Sequence, residues 1–302
     1  MIRIAGFPLV WGASTLLGLA LVQPPALSAE PAPYREMERP LETYIPHASG
    51  DRKFSNTYRY WKDPKNLDWR LAGNPDENWK LNWKFMDPPF NQAIHGGHFA
   101  LDRGESLYKF LNRGGSFAAC LGAGKGGLKG LRTSYPRYDK TLKRVVGLEE
   151  KIQICGAIEG RVLENGSYDN SAISLYIAGF SKGMPMRIDV SKGPLKEAFE
   201  RGRRLYHTRA GRMNFACATC HIHNVGKHLR GNTVTTPFGD VVHFPVYRTK
   251  YELQSLQLRF MECNLDTGTQ PLLPGSPAYT DLEVFLSALS NGYAVTVPSE
   301  RD

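Results

Sequence analysis

The chain has 302 residues, 41% of them hydrophobic, which is enough for packed cores and argues against a disordered polypeptide. Its 38 Lys and Arg outnumber 29 Asp and Glu, leaving a formal charge of +9 that favours small anions or acidic proteins as partners. The basic residues are spread along the chain rather than gathered in one motif, which speaks against nucleic acid.

Residues 1–29 read as a secretory signal: Arg3 is their only charge, an apolar run follows over 4–22, and Leu27-Ser28-Ala29 makes a small-residue cleavage site. The mature chain is then expected to begin near Glu30 in the periplasm, with no membrane span after signal removal. A retained anchor is the competing reading; Pro24-Pro25 and the lack of a following basic cluster oppose it. Residues 30–97 are rich in Pro, Asn and aromatics, including Trp61, Trp69, Trp79 and Trp83, with little periodicity. They read as an irregular N-terminal arm packed on the rest, against the alternative of a disordered linker that would expose those rings.

From residue 98 onward the chain repeats itself. Gly104-Glu-Ser-Leu107-Tyr108 matches Gly202-Arg-Arg-Leu205-Tyr206, each on a predicted helix leading into a cysteine segment. Leu148-x-x-Lys151-x-x-x-Cys155 parallels Leu256-x-x-Arg259-x-x-x-Cys263. Two apolar helices end alike, at Ser181-Lys182-Gly183 and Ser290-Asn291-Gly292, with glycines suited to helix C-termini.

The five cysteines form an odd set, so in an oxidising compartment simple pairing cannot use them all. Cys217-Ala-Thr-Cys220-His221 has the form of a c-type haem attachment sequence. Cysteines three apart on one helical turn present both sulfurs to the two vinyl groups, and the next residue brings its imidazole under the iron. A thioredoxin-like redox pair or half of a zinc site are the alternatives, and neither a βαβ pattern nor a second C-x-x-C accompanies the motif. The expected fold is therefore mainly α: two tandem cytochrome c-like domains, at 98–193 and 194–302, with low strand content and with haem supplying core that so short a helical unit lacks.

If Cys120 is laid on Cys220, the remaining haem positions of the first repeat hold Phe117 and Leu121, so that copy cannot attach haem. Cys120 and Cys155 would then lie close together, and a disulfide between them is the economical reading, with two free thiols as the alternative. Cys263 is left over. By the repeat it faces the iron from the side opposite His221, at the start of the loop after a helix, and is expected as the sixth ligand. Arg259, one turn earlier on the same face, can stabilise a thiolate and present a planar fork to an oxyanion. A buried structural thiol and a solvated arginine are the bland readings of these two. His207, His223, His228 and His243 lack a metal-demanding spacing, although His243 could replace Cys263 as distal ligand.

Over roughly residues 98–302 the chain resembles the SoxA family of bacterial sulfur oxidation. The resemblance rests on Phe215-Ala-Cys217-Ala-Thr-Cys220-His221, on Arg259-Phe-Met-Glu-Cys263-Asn264, and on Pro274-Gly275-Ser276 followed by Tyr279 and Leu282-Glu283. Phe117 and Leu121, with Cys120 and Cys155 kept, resemble the single-haem branch, in which a disulfide takes the place of the first haem. The resemblance implies one covalently bound haem c on Cys217 and Cys220 with His221 and Cys263 as axial ligands. It further implies oxidative transfer of thiosulfate to a cysteine of a SoxYZ-type carrier through Cys263, as thiolate or persulfide, with Arg259 binding substrate. One haem accepts one electron at a time, so a small SoxX-type cytochrome subunit is expected as partner. A thiosulfate dehydrogenase forming tetrathionate and a plain electron-transfer cytochrome are the competing functions.

Overall fold

A computed structural model describes residues 96–224, 228–229, 232–248 and 252–301. The expected signal over 1–29, and the arm up to residue 95, lie outside the described residues. Side chains of 228–233 and of 300–301 are likewise not described.

Helices dominate, and they come in two matching series. The first runs α1 (Gly96–Leu111), α2 (Ser116–Cys120), a 3-10 turn at Arg132–Ser134, a hairpin of β1 (Arg137–Asp139) and β2 (Arg144–Val146), then α3 (Leu148–Ile158) and α4 (Tyr168–Gly179). The second runs α5 (Gly193–His207), α6 (Cys217–His221), the short pair β3 (His228–Leu229) and β4 (Asn232–Thr233), and a 3-10 turn at Asp240–His243. It continues with β5 (Val246–Arg248), β6 (Glu252–Gln254), α7 (Leu256–Asp266), α8 (Pro277–Leu289) and β7 (Glu300–Arg301). The strands are only two or three residues long. β1 and β2 pair antiparallel, and β6-β5-β7 forms a small sheet in which β5 pairs antiparallel with β6 and parallel with β7.

Each series is held by one close helix crossing, and glycine makes it possible. A Cβ at Gly104 of α1 would lie 2.0 Å from the Ala172 carbonyl oxygen of α4; a Cβ at Gly202 of α5 would lie 2.0 Å from that of Asp281 in α8. Side-chain-free positions let the backbones touch at equivalent places, which explains why the same Gly-x-x-Leu-Tyr pattern opens both repeats. An arginine beside each glycine ties the crossing: Arg103 to Asp169 at 2.9 Å and Arg201 to Asp281 at 2.7 Å.

The two helices stop earlier than expected, α4 at Gly179 with Phe180 as its C-cap and α8 at Leu289 with Ser290 as its C-cap. Gly183 and Gly292 instead take left-handed φ of 76° and 89° in the turns beyond.

The apolar cores do not divide at the sequence boundary. One packs Phe117, Leu121, Tyr135, Leu148, Ile152 and Ile173 of the first repeat. The larger one joins Ala172, Leu175 and Ala178 of α4 to Tyr206, Ala218, Phe244, Tyr279 and Phe285 of the second. The tails that leave α4 and α8 also bond to each other: Gly183 N–H donates to Val295 O at 2.9 Å, Met186 N–H to Tyr293 O at 2.9 Å, and Asn291 Nδ2 to Ile188 O at 2.9 Å. Among the described residues no helix is long and apolar enough to cross a membrane.

Candidate haem and sulfur site

The attachment motif forms one short helix. Ala216 enters it extended, and its N–H donates to the Thr219 hydroxyl at 3.0 Å, which fixes the first turn; Ala218 is fully buried beneath. His221 ends the turn. Its Nδ1 lies 2.8 Å from the Thr235 carbonyl, and a carbonyl can only accept, so Nδ1 carries the proton and Nε2 keeps the lone pair that an iron requires.

Cys263 arrives from α7, later in the same series of elements. Ser255 caps α7 by accepting from Leu258 N–H at 3.3 Å, and buried Leu256 and Gln257 seat the first turn. Cys263 lies in the last turn of α7 itself, not in the loop after it as the sequence suggested. The helix simply runs three residues further, and the Thr267 hydroxyl donates to the Cys263 carbonyl at 3.1 Å and to that of Asn264 at 3.2 Å, capping its end. Tyr279 of α8 anchors the following segment, its oxygen accepting from Asn264 Nδ2 at 2.9 Å and from Leu272 N–H at 3.1 Å.

Cys217, Cys220 and Cys263 are unpaired, and each keeps some exposed surface although protein surrounds it densely. Burial first, then the nearby Cys263 and Cys220 sulfurs, push the Cys217 thiol up to about 12. Burial also raises the Cys263 thiol, with Arg259 opposing. Tyr206 reports the same neighbourhood: its phenol is pushed well above the ordinary range by burial, then by Cys217, Asp240, Cys220 and Cys263. Its buried hydroxyl has no hydrogen-bond partner among the described residues, a cost that native proteins seldom leave uncompensated. The three sulfurs are thus close enough to act on one another and on the Tyr206 phenol, and His221 follows Cys220 directly. This donor set fits a haem c, with Cys217 and Cys220 available for thioether bonds.

Arg259 is brought to the same region, but it is not a free cation. Its Nη1 pairs with Glu262, and Gln254 Nε2 donates to the same Glu262 oxygen at 3.1 Å. Burial opposes the guanidinium's charge; Cys263 and Glu262 outweigh it and raise the Arg259 pKa. The sequence assigned no role to Thr235, Glu262, Gln254, Tyr206 or Tyr279. Glu262 lies three residues from Arg259 and could have been found by helical spacing, whereas Thr235 acts through its backbone and leaves no side-chain signal.

His243 Nδ1 lies 3.1 Å from the Ser299 hydroxyl, and burial lowers the His223 pKa. Among the described residues no group of three or more His, Cys, Asp or Glu is arranged to hold a metal ion.

In the first repeat the equivalent space is filled by the chain. Cys120 and Cys155 form a disulfide with Cα atoms 5.8 Å apart, and Phe117 and Leu121 are fully buried beside it. Tyr108, the counterpart of Tyr206, meets the Phe117 ring edge-on at 5.9 Å.

Known proteins agree with this duplicated architecture. The family model described as SoxA/TsdA, cytochrome c domain, matches residues 103–186, the repeat containing the disulfide. The protein described as L-cysteine S-thiosulfotransferase subunit SoxA of Chlorobaculum tepidum is 32% identical over 232 residues, 75% of this chain and 77% of that one. The same-named protein of Allochromatium vinosum is 30% identical, covering 74% and 77%. The crystal structure of SoxXA from P. pantotrophus superposes with a TM-score of 0.61 at 27% identity, covering 69% of this chain and 79% of that one. With 32% identity to the Chlorobaculum tepidum protein held over 75% of its length, the chain belongs to the SoxA family.

Proposed function

We propose that this protein is an L-cysteine S-thiosulfotransferase subunit that joins thiosulfate oxidatively to a cysteine of a SoxYZ-type carrier through Cys263. The observation that carries this reading is the placement of the unpaired Cys263 beside the two cysteines of the attachment helix, with Arg259 one turn away. The names of its relatives support the reaction class, and the SoxXA structure supports a SoxX-type partner.

Cys217 and Cys220 would hold one haem c, with His221 and Cys263 as the side chains available to its iron. Bound there, the haem would supply a one-electron acceptor, and a sulfur donor would lower its potential.

The chain's residues divide the remaining tasks. Arg259 offers a planar fork to the sulfonate oxygens of thiosulfate, and α7 aims the Cys263 sulfur at the terminal sulfur. The Cys263 thiolate and thiosulfate form a sulfur–sulfur bond with loss of two electrons, which leave singly to the second cytochrome. The carrier's thiolate then attacks the terminal sulfur of that adduct, takes over the thiosulfate and releases Cys263 as thiolate. When Cys263 begins as a persulfide, its outer sulfur takes the same role. The His221–Thr235 contact keeps the imidazole from rotating, and Tyr279 keeps the Cys263 end of α7 in place.

Export fits the same reading, with residues 1–29 as signal, a periplasmic mature chain and residues 194–302 as the haem-bearing unit. Cys263→Ala in the holoprotein should abolish transfer to the carrier while haem attachment survives. Normal turnover in that variant removes the proposal. Tetrathionate formation at full rate without any carrier points instead to a thiosulfate dehydrogenase.

A further inference from the structure

Arg259 and Glu262 are adjacent on one face of α7, and their ion pair is only one part of a longer chain of contacts. Gln254, in β6 just before the helix, is 2% exposed, and its Nε2 bridges Glu252 Oε2 at 3.0 Å and Glu262 Oε2 at 3.1 Å. Its Oε1 is buried with no hydrogen-bond partner among the described residues. The amide is therefore committed to holding two carboxylates, and Glu262 is held in turn against Arg259.

This arrangement has a consequence for an anionic substrate. A guanidinium satisfied by a carboxylate must exchange that partner, or share it, to bind a sulfonate. We propose that Glu262 is a positioning residue that occupies the Arg259 fork at rest and competes with the incoming oxyanion, so that it sets the affinity and selectivity of the site for divalent sulfur oxyanions. Pairing keeps Arg259 folded toward the Cys263 end of the helix, and a monovalent anion displaces the carboxylate less readily than a divalent one. The inference rests on the reading that Arg259 binds thiosulfate.

The test uses the haem-loaded protein with its partner subunit. Thiosulfate, and sulfate as an unreactive divalent probe, are titrated by calorimetry and by the haem absorbance, with KM for thiosulfate measured in parallel. Glu262→Gln should tighten both anions by about three- to tenfold, the range of a part-exposed ion pair. Glu262→Ala, which removes the carboxylate without supplying an amide, should move affinity in the same direction. In an Arg259→Ala background either change should have no effect. Unchanged or weaker anion binding in both Glu262 variants overturns the proposal, as does an effect that persists without Arg259. If Arg259→Ala alone leaves sulfate and thiosulfate affinity unaltered, it is the anion-binding reading that fails, a result separable from the first.

Discussion

Gln257 Nε2 donates to Glu283 Oε2 across 2.7 Å, joining the helix that carries Cys263 to the one after it. The first repeat makes the counterpart contact with the residue types exchanged, Ser174 Oγ donating to Glu149 Oε1 at 2.7 Å. The two carboxyl groups meet where the repeats abut: a Cβ at Gly147 would lie 2.7 Å from Glu283 Oε2.

Burial, followed by Glu149, pushes the Glu283 carboxyl up to about 8, with Arg132 and Gln257 opposing and Glu150 adding to the rise. A folded value above the ordinary 4.5 means that this group's stabilising contribution is complete below about pH 4.5 and is lost as pH rises toward 8. Glu283→Gln keeps an acceptor for Gln257 and cannot ionise. Its unfolding free energy should match the parent's near pH 4.5 and exceed it near pH 9 by on the order of a few kcal/mol. Denaturant unfolding at the two pH values checks this, and a difference that does not change with pH refutes it.

The glycine crossings predict a matched pair of defects. Gly104→Ala and Gly202→Ala each place a methyl group 2.0 Å from a backbone carbonyl oxygen, so the helices must separate. Each should destabilise the protein by roughly 2–4 kcal/mol in chemical unfolding. A loss below about 0.5 kcal/mol in either would show that the crossing yields without strain.

Replacing both Cys120 and Cys155 with Ser opens a loop with a sequence separation of 35. The expected cost is roughly 3–4 kcal/mol in the chain-entropy model, with haem content and carrier transfer retained at low temperature. Loss of covalent haem in a variant that still folds would contradict a purely structural role for this bridge.

Tyr279→Phe removes the acceptor for both Asn264 Nδ2 and Leu272 N–H. Stability should fall by about 1–2 kcal/mol. Transfer to the carrier should slow more than haem attachment, because the segment beyond Cys263 loses its anchor. Equal behaviour of parent and variant in single-turnover transfer would show that this segment needs no such support.

Much of this architecture was legible before any coordinates. The C-x-x-C-H spacing marked α6, the doubled Gly-x-x-Leu-Tyr pattern marked the two crossings, and the parallel between Cys155 and Cys263 set them on the equivalent helices α3 and α7. These signals survive because they rest on helical geometry or covalent chemistry, which constrain residue type at fixed intervals. Thr235 was invisible because its backbone, not its side chain, orients His221. Glu149 and Glu283 look like surface acids in sequence, and only the meeting of the two repeats buries them. Cys263 was set one step too far, into a loop, since helix ends are decided by capping contacts such as that of Thr267 and not by periodicity.

The tails leaving α4 and α8 bond to one another, and α4 lends its apolar face to the larger core. A gene fragment beginning at residue 194 would therefore encode the attachment helix and Cys263 but would lack part of the core they pack on, and its product should clump or be degraded. The first repeat, its own interior filled by Phe117, Leu121 and the disulfide, thus serves as masonry for the second.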